Sequence, residues 1–575
     1  MLFSSLLGSL RPTSPRTLRR RSASPKRPTR TRLQVERLES RKLLSANIDV
    51  SNLPQIQEET TIDINPVNPL NLVAASNSPN DAKPESEAVS AYFSKDGGNT
   101  WTTTSLPTKF QGKQFKFNND PYVAFDSRGN VYVIYNAVPE SPNQLEGATA
   151  VAKSTDGGET FTLVSLLPNF NATSDHARLA IDKNPNSPFR DTLYATWFNQ
   201  GSAFGPPFVH LQASYSRDGG LTWSPPADVG DPSSAFGNAL TVGPDGTVYA
   251  TRIGAINPSG GATQLMNRST DGGLTYTADL AVTTLNTNDL NLGTGFSSPA
   301  QPSRIIPGVS IIVAQAGIDT DRSAGPFRGR VYLAYVDRPD PVARPFYTDV
   351  YLQFSDNGGQ TWSPRIRVND DAPGDSHFFP NLSVDPADGT VVISWYDTRR
   401  DPVNLQKTDV FLAVGTPTAH GVSFQPNLRV TDAQSDESAN NSHAQGSYGD
   451  YEGLVAFGGV AHPVWCDARP SNFPTQGGRR EEVYTAAIQY LAGASLLATS
   501  FGHNGPTASL TSQQLATLLP EAIQPWQAVG VDSSALIGLD VRIADLGGTT
   551  LDLAAEQHRH RPDPARRLAC APGMR

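Results

Sequence analysis

Ser216-Arg217-Asp218-Gly219-Gly220-Leu221-Thr222-Trp223 decides the fold, because near-copies of it return along the chain. They are Ser94–Trp101, Ser154–Phe161, Ser269–Tyr276 and Ser355–Trp362, the last with Asn357 where the others carry Asp96, Asp156, Asp218 and Asp271. A pattern recurring in this way marks a repeat fold. Within each copy the residue types describe a hairpin turn. The carboxylate accepts local backbone N–H groups, the glycine pair supplies positive φ, and the Thr hydroxyl closes the loop, after which the aromatic packs sideways.

A second repeat interleaves with the first: an alternating apolar segment, a short turn, then a strand of the form V-Y-x-x-aromatic. Its clear copies are Val123–Asp126 with Val131–Tyr135, Leu179–Asp182 with Leu193–Trp197, Leu240–Val242 with Val248–Thr251, Val331–Tyr335, Leu382–Asp385 with Val391–Trp395, and Leu454–Phe457 with Val460–Trp465. A weaker copy, Ile62–Ile64 with Asn71–Ala75, precedes the first turn motif. Each unit thus predicts four strands, which is one blade of a β-propeller. The seventh unit ends on Val483–Ile488 without an outer strand, while Asn47–Asn52 resembles the outer strands Arg365–Asp370 and Leu428–Asp432. The expectation is an all-β propeller of seven four-stranded blades, with six as the alternative, closed by strands from both ends of the domain.

The eight-residue motif resembles the Asp box, or BNR repeat, of sialidase-type β-propellers, and the resemblance covers roughly residues 47–489. It implies that the boxes lie opposite the ligand face, so Asp96, Asp156, Asp218, Asp271 and Asn357 are expected to be structural. The ligand face is then made by loops entering each innermost strand and loops leaving each second strand. The sialidase family itself has six blades.

Outside residues 47–492 the text changes character. Arg11–Lys42 holds 12 Lys or Arg against 2 Glu, and taking that excess of ten from the net charge of −9 leaves the remainder near −19. Such an acidic body repels nucleic acid, and no stretch is long and apolar enough to span a bilayer. Residues 1–46 read as a disordered basic leader whose end, Leu33–Ala46, resembles the leader motif of large secreted proteins in environmental bacteria. That resemblance implies a secreted or cell-surface protein. Residues 493–510 read as a linker, 511–555 as a small C-terminal α/β module, and 556–575 as a disordered tail in which a frameshift would explain the abrupt change of composition. Cys466 and Cys570 are the only cysteines, so no disulfide framework exists. A monomer is expected.

The entering loops carry Asp120, Asp175-His176, Asp375-Ser376-His377 and Tyr448-Gly449-Asp450-Tyr451-Glu452; the leaving loops carry Asp337-Arg338, Asp397-Thr398-Arg399 and Asp467-Ala468-Arg469. Arg338, Arg399 and Arg469 have two readings: a grip on a substrate carboxylate, as in the sialidase arginine triad, or a blade-to-blade ion pair repeated with the blade. The family resemblance further implies a tyrosine nucleophile, its glutamate partner and an aspartate acid/base, for which Tyr448 or Tyr451, Glu452 and Asp175 are the candidates. The family's Arg-Ile-Pro motif has its nearest match at Arg304–Pro307, on another blade, which favours binding over turnover. No cofactor is required, although Asp120, Asp175 and Asp450 would suit Ca²⁺. His377 and Tyr396, with Phe378, Phe379 and Tyr448, would suit contacts to sugar rings. The expectation is a propeller that binds a glycan or protein ligand on its loop face, with an exo-α-sialidase as the alternative and a structural surface or matrix protein as a third reading.

Overall fold

The computed structural model describes residues 46–53, 57–78, 89–139, 148–167, 173–201, 208–231, 237–254, 262–286, 315–340, 347–436, 448–469 and 481–490. The leader, the linker, the C-terminal module and the tail lie outside the described residues, apart from Ala46. All regular structure described is strand, in seven antiparallel sheets.

Each sheet is a blade, and, apart from the outer strand of blade 7, its four main strands follow one another in sequence from the inside outward. Blade 1 runs Glu58–Ile64, Leu72–Asn77, Val89–Ser94, Thr102–Ser105, and blade 3 runs Thr173–Ile181, Leu193–Gly201, Phe208–Ser216, Ala227–Asp228. The inner strands of the other blades are Lys113–Phe125, Ala239–Val242, Gly317–Thr320, His377–Val384 and Gly453–Phe457. Neighbouring inner strands touch all the way round, including blade 7 against blade 1, so the ring is closed.

Closure uses both ends of the domain, as the sequence predicts. The outer strand of blade 7 is Ile48–Asp49, which pairs with Glu482–Thr485 in the register Ile48↔Thr485 and Asp49↔Tyr484. Three details differ from the sequence reading, the first being a short extra strand in blade 2, Lys109–Phe110, which pairs with Gln114 and Lys113. The third strand of blade 7 stops at Thr485, and Ile488–Gln489 crosses to pair with Val460 and Ala461 of the second strand. In blade 6, where the Asp box has decayed, Gly421–Phe424 forms a tight hairpin with Gly415–Thr418 before the outer strand Leu428–Arg429.

The core lies between blades. Alternation along a strand gives each sheet two apolar faces, and each face is covered by the next blade. Val50, Ile62, Tyr92, Val464 and Val483 join blade 7 to blade 1 in one such layer. Trp197, Trp395 and Trp465, at the same place on three second strands, are fully buried. Burying each such ring contributes on the order of 2–3 kcal/mol.

The Asp boxes connect third to outer strands and clamp neighbouring blades. Ser216 Oγ donates to Asp218 Oδ1 at 2.8 Å, the Thr222 N–H to the same oxygen at 2.9 Å, and the Thr222 hydroxyl to Asp218 Oδ2 at 2.5 Å. Gly219 and Gly220 sit at φ 74° and 86°, a region that side chains disfavour. Ser165 of blade 2 donates to Gly220 O, and Trp223 Nε1 reaches back to Ser165 Oγ at 3.0 Å. In antiparallel sheets the turn after an inner strand falls on the same face as the turn after a third strand. The boxes and the inner-to-second turns therefore share one face, and the starts of the inner strands with the ends of the second strands lie at the other. That second face is called the loop face below.

Candidate functional site at the loop-face mouth

The inner strands of blades 1, 2, 3 and 6 slip register near the loop face, between Glu58 and Thr61, Asn119 and Tyr122, Asp175 and Arg178, and Phe378 and Asn381. One residue of each bulge is left-handed: Glu59 (φ 59°), Asp120 (53°), His176 (50°) and Phe379 (49°). Such a conformation costs roughly 1–3 kcal/mol in a residue with a side chain, so surrounding contacts must impose it. Here the second strands supply them. Asn77 Nδ2 donates to Glu59 Oε2 at 2.7 Å, and Asn136 Nδ2 to Asp120 Oδ2 at 2.7 Å. The bulges also hold one another, because the Asp120 N–H donates to Asn77 Oδ1 at 2.9 Å and the His176 N–H to Asp120 Oδ2 at 3.0 Å.

This lattice brings the three candidate metal ligands, Asp120, Asp175 and Asp450, around one imidazole. His176 Nε2 lies 3.1 Å from Asp450 Oδ2 and 3.8 Å from Asp175 Oδ1. Burial alone would push His176 down, but Asp175, Asp450 and Asp120 raise it to about 9, so it is an imidazolium at neutral pH. Burial drives Asp175 up to about 7, with His176 opposing and Asp120 and Asp450 adding. Burial likewise lifts Glu58 to about 8. Asp120 goes the other way: burial opposes ionisation, yet His176 and its hydrogen bonds hold it low. The cation that these carboxylates surround is the protein's own. Among the described residues no group of three or more His, Cys, Asp or Glu has the geometry to hold a metal ion.

Under this cluster Arg178, Tyr451 and Gln315 form a floor. The Arg178 guanidinium lies 4.1 Å from the Tyr451 ring centre and 5.2 Å from that of Tyr122, and donates to Gln315 Oε1 at 3.1 Å. Gln315 Nε2 in turn sits 3.3 Å from His176 Nδ1. The Tyr451 hydroxyl is buried and donates to Pro121 O at 3.0 Å. Tyr448 is also buried, its hydroxyl 2.8 Å from that of Thr408.

Glu452 and Tyr396 belong to the contact between blades 6, 7 and 1. Thr60 and Tyr396 hydroxyls bond the Glu452 carboxyl, the Tyr396 hydroxyl also reaches Cys466 O at 2.7 Å, and burial raises Glu452 to about 8. Tyr396 stacks on Phe378 at 4.8 Å, and Tyr448 closes on Tyr396 at 4.6 Å. This aromatic group is fully buried, with no face turned to solvent.

The arginine candidates are not drawn together. Arg399 bonds Asp397 Oδ2 at 2.8 Å and Asp370 Oδ1 at 2.7 Å, and lies 4.1 Å over the Phe411 ring. Arg469 repeats this one blade on, with Asp467 Oδ2 at 2.6 Å, Asp432, and the Tyr484 ring at 4.3 Å. Both guanidiniums therefore clasp a carboxylate at the end of the preceding blade's outer strand. In blade 5 the sequence reads Asp337-Arg338, one residue shorter than Asp-x-Arg, and the partner of Asp337 is Arg365 at 2.5 Å. Arg338 is buried at the end of its strand, its N–H donating to Asp337 Oδ1 at 2.9 Å. His377 is buried between Asp371 (3.4 Å) and Asp397 (3.3 Å); burial would lower it, but the two carboxylates raise it to about 10.

Sequence reasoning passed over Glu58, Glu59, Arg178 and Gln315. A usable signal existed for Glu59, which takes the same place before Ile64 as Asp120 takes before Phe125 and His176 before Ile181.

Residues 353–364 match the BNR/Asp-box repeat family. No curated protein matches the chain in sequence. Among solved structures, a Hadza microbial sialidase is similar at 12% identity and a TM-score of 0.39, over 70% of this chain and 74% of that one. A protein of unknown function from Dyadobacter fermentans is similar at 19% identity and a TM-score of 0.39, over 62% and 94%. An α-L-arabinanase from Penicillium chrysogenum follows at 11% identity and a TM-score of 0.37, over 64% and 93%. By its own sheet topology the chain is a seven-bladed β-propeller, in which the turn at residues 353–364 matches the BNR/Asp-box repeat.

Proposed function

We propose that the chain is an exported glycan-binding propeller that takes its ligand on the loop face, over the Asp175–His176–Asp450 group. The observation that carries this reading is the pairing of two part-exposed carboxylates with one buried imidazolium: their side chains are each 21% exposed, against 5% for His176. Carboxylates fixed in this way accept hydrogen bonds from vicinal sugar hydroxyls without losing rotamer freedom on binding. Arg399 and Arg469 are spent on the protein's own carboxylates, so the ligand is a neutral glycan rather than an acidic one. Export follows from the leader resemblance, and the protein acts as a monomer.

The test is retention of glycans by the full-length chain on an array of neutral and sialylated oligosaccharides. Neutral glycans should be retained by the wild type and lost with Asp175→Asn/Asp450→Asn. A folded protein that retains no glycan but captures a protein ligand would overturn the reading.

One observation favours a hydrolase as the second reading. Asp175, raised to about 7 mainly by burial, keeps a proton near neutral pH, as a general acid must. Against it, the hydroxyls of Tyr448 and Tyr451 are buried and engaged. Turnover of a fluorogenic sialoside, abolished by Asp175→Asn and Tyr451→Phe, would establish this reading.

A further inference from the structure

The central channel holds a cavity of about 820 Å³ that lies beneath the loop-face group and is divided from it by Arg178, Gln315 and Tyr451, since Asp120, Asp175, His176 and Asp450 are not among its walls. It is floored by Arg178 and rimmed by inner-to-second turns, where Pro185, Ala324 and Arg328 are exposed. The cavity thus opens on the Asp-box face.

Two features of it bear on what it holds. Arg178 is only 3% exposed and makes no ion pair among the described residues; its contacts are Ala177 O and Gln315 Oε1, each at 3.1 Å, and the rings of Tyr122 and Tyr451. A guanidinium carries five N–H donors, and these two bonds leave others for the cavity. A buried charge without a counter-ion is costly, and an anion brought to it recovers that cost. The second feature is the charge of the wall in a protein that is acidic overall. Lys183, Arg322, Arg328 and Arg178 line the cavity against Asp63, Asp319 and Glu452. Asp63 and Asp319 are already paired, with Lys183 and Arg322, both at 2.7 Å. Burial keeps Glu452 protonated up to about pH 8. Between floor and rim the walls are mostly apolar, with Ile62, Leu179, Val242, Leu382 and Val455.

We infer that the channel is a second binding site, entered from the Asp-box face, for an organic carboxylate with an apolar body, whose carboxylate is held by Arg178. The volume falls within the roughly 300–1,000 Å³ of small-molecule sites. A carboxylate takes paired N–H bonds from a guanidinium, and an apolar tail of moderate length covers the wall. This site goes beyond the loop-face reading and stands without it.

Calorimetric titration of octanoate and octanamide into the full-length protein tests it. Octanoate should bind saturably with one molecule per chain, and octanamide at least tenfold more weakly, as loss of a charge-assisted pair requires, at roughly 1.5–3 kcal/mol. Arg178→Gln should weaken octanoate by a similar factor while leaving octanamide unchanged. Arg328→Glu, at the exposed rim, should weaken octanoate by a few-fold through its charge alone, about 1 kcal/mol or less. Asp450→Asn, on the loop face, should leave octanoate unaffected, which separates this site from the glycan site. Absence of saturable octanoate binding, equal binding of octanamide, or undiminished binding by folded Arg178→Gln would each overturn the inference. If Arg178→Gln does not fold, the comparison of acid with amide still decides.

Discussion

Arg469 donates from Nη2 to Asn47 Oδ1 at 3.0 Å, joining positions 422 apart in the chain. Asn47 also accepts the Asp432 N–H at 2.8 Å and donates to Val430 O at 2.9 Å, so the strand that completes blade 7 is tied at once to its own blade and to blade 6. One blade earlier the same parts appear in continuous chain: Asn427 Oδ1 accepts from Arg399 at 3.3 Å and from the Asp370 N–H at 2.8 Å. The motif is therefore a repeated clasp, and at blade 7 it closes the ring.

The clasp should matter more where the chain is not continuous. Arg469→Ala leaves Asp467 buried without its partner and is expected to cost about 3 kcal/mol. Hydrogen exchange should show residues 46–53 released first. Arg469→Lys should recover only part of the loss, because an ammonium cannot fork to two acceptors in one plane. Arg399→Ala should leave exchange at 46–53 unchanged. Equal protection of 46–53 in wild type and Arg469→Ala would refute the closing role.

Asn357 gives an internal comparison among the Asp boxes. Its amide donates to Thr361 Oγ1 at 2.8 Å, whereas in the other boxes the Thr hydroxyl donates to the carboxylate. Although burial pushes the other way, bonds from Ser154 and Thr160 hold Asp156 down to about 2, below its ordinary 3.8. A lowered carboxylate contributes stability above the higher value that is lost as pH falls through the lower one. Asp156→Asn should therefore flatten the thermal midpoint between about pH 4 and pH 2. Retention of the full acid slope in that variant would show that the boxes do not carry it.

Glu452 behaves in the opposite sense. The Tyr396 hydroxyl accepts the Cys466 N–H at 3.0 Å and has one proton for two acceptors, Cys466 O at 2.7 Å and the Glu452 carboxyl. A protonated Glu452 resolves the count by donating. Burial raises it from 4.5 to about 8, so between those values the folded chain keeps a proton that the unfolded chain releases, and stability falls as pH rises through the window. Glu452→Gln should remove that slope and fold normally. Glu452→Ala, which strands the hydroxyls of Thr60 and Tyr396, should cost about 2 kcal/mol. Identical pH profiles for wild type and Glu452→Gln, read by chemical denaturation from pH 5 to 8, would rule out the protonated carboxyl.

His462 supplies an acid limit. Burial lowers it from 6.5 to about 4, so it folds neutral. The unfolded chain takes up a proton first as pH falls below 6.5, and stability drops from there toward 4. His462→Gln should raise stability at pH 5 relative to pH 7 when compared with wild type; no differential change would contradict this.

Much of the architecture is legible before any coordinates. Glycine pairs at fixed distance from Ser and Thr announce the boxes, period-two alternation announces the blades, and the likeness of Asn47–Asn52 to Leu428–Asp432 announces closure. The site is less legible for physical reasons. A bulge such as that at His176 shifts side chains by one position, so alternation alone misassigns which face they take. In blade 5 the loss of one residue between Asp337 and Arg338 sends the clasp to Arg365, a partner on another strand that no local motif marks. Tyr396, Tyr448 and Tyr451 look like ligand-face aromatics because loops near a propeller axis usually meet solvent. Here they are packed inward under the inner strands.

The most direct measurement is calorimetric titration of a neutral oligosaccharide retained on the array into wild type, Asp450→Asn and Leu221→Ser. Leu221 is 60% exposed on an Asp box, on the opposite face. The account expects binding by wild type and by Leu221→Ser with the same affinity, and a loss of about tenfold or more in Asp450→Asn. Undiminished binding by Asp450→Asn, or a loss confined to Leu221→Ser, would contradict it and move the glycan site off the loop face.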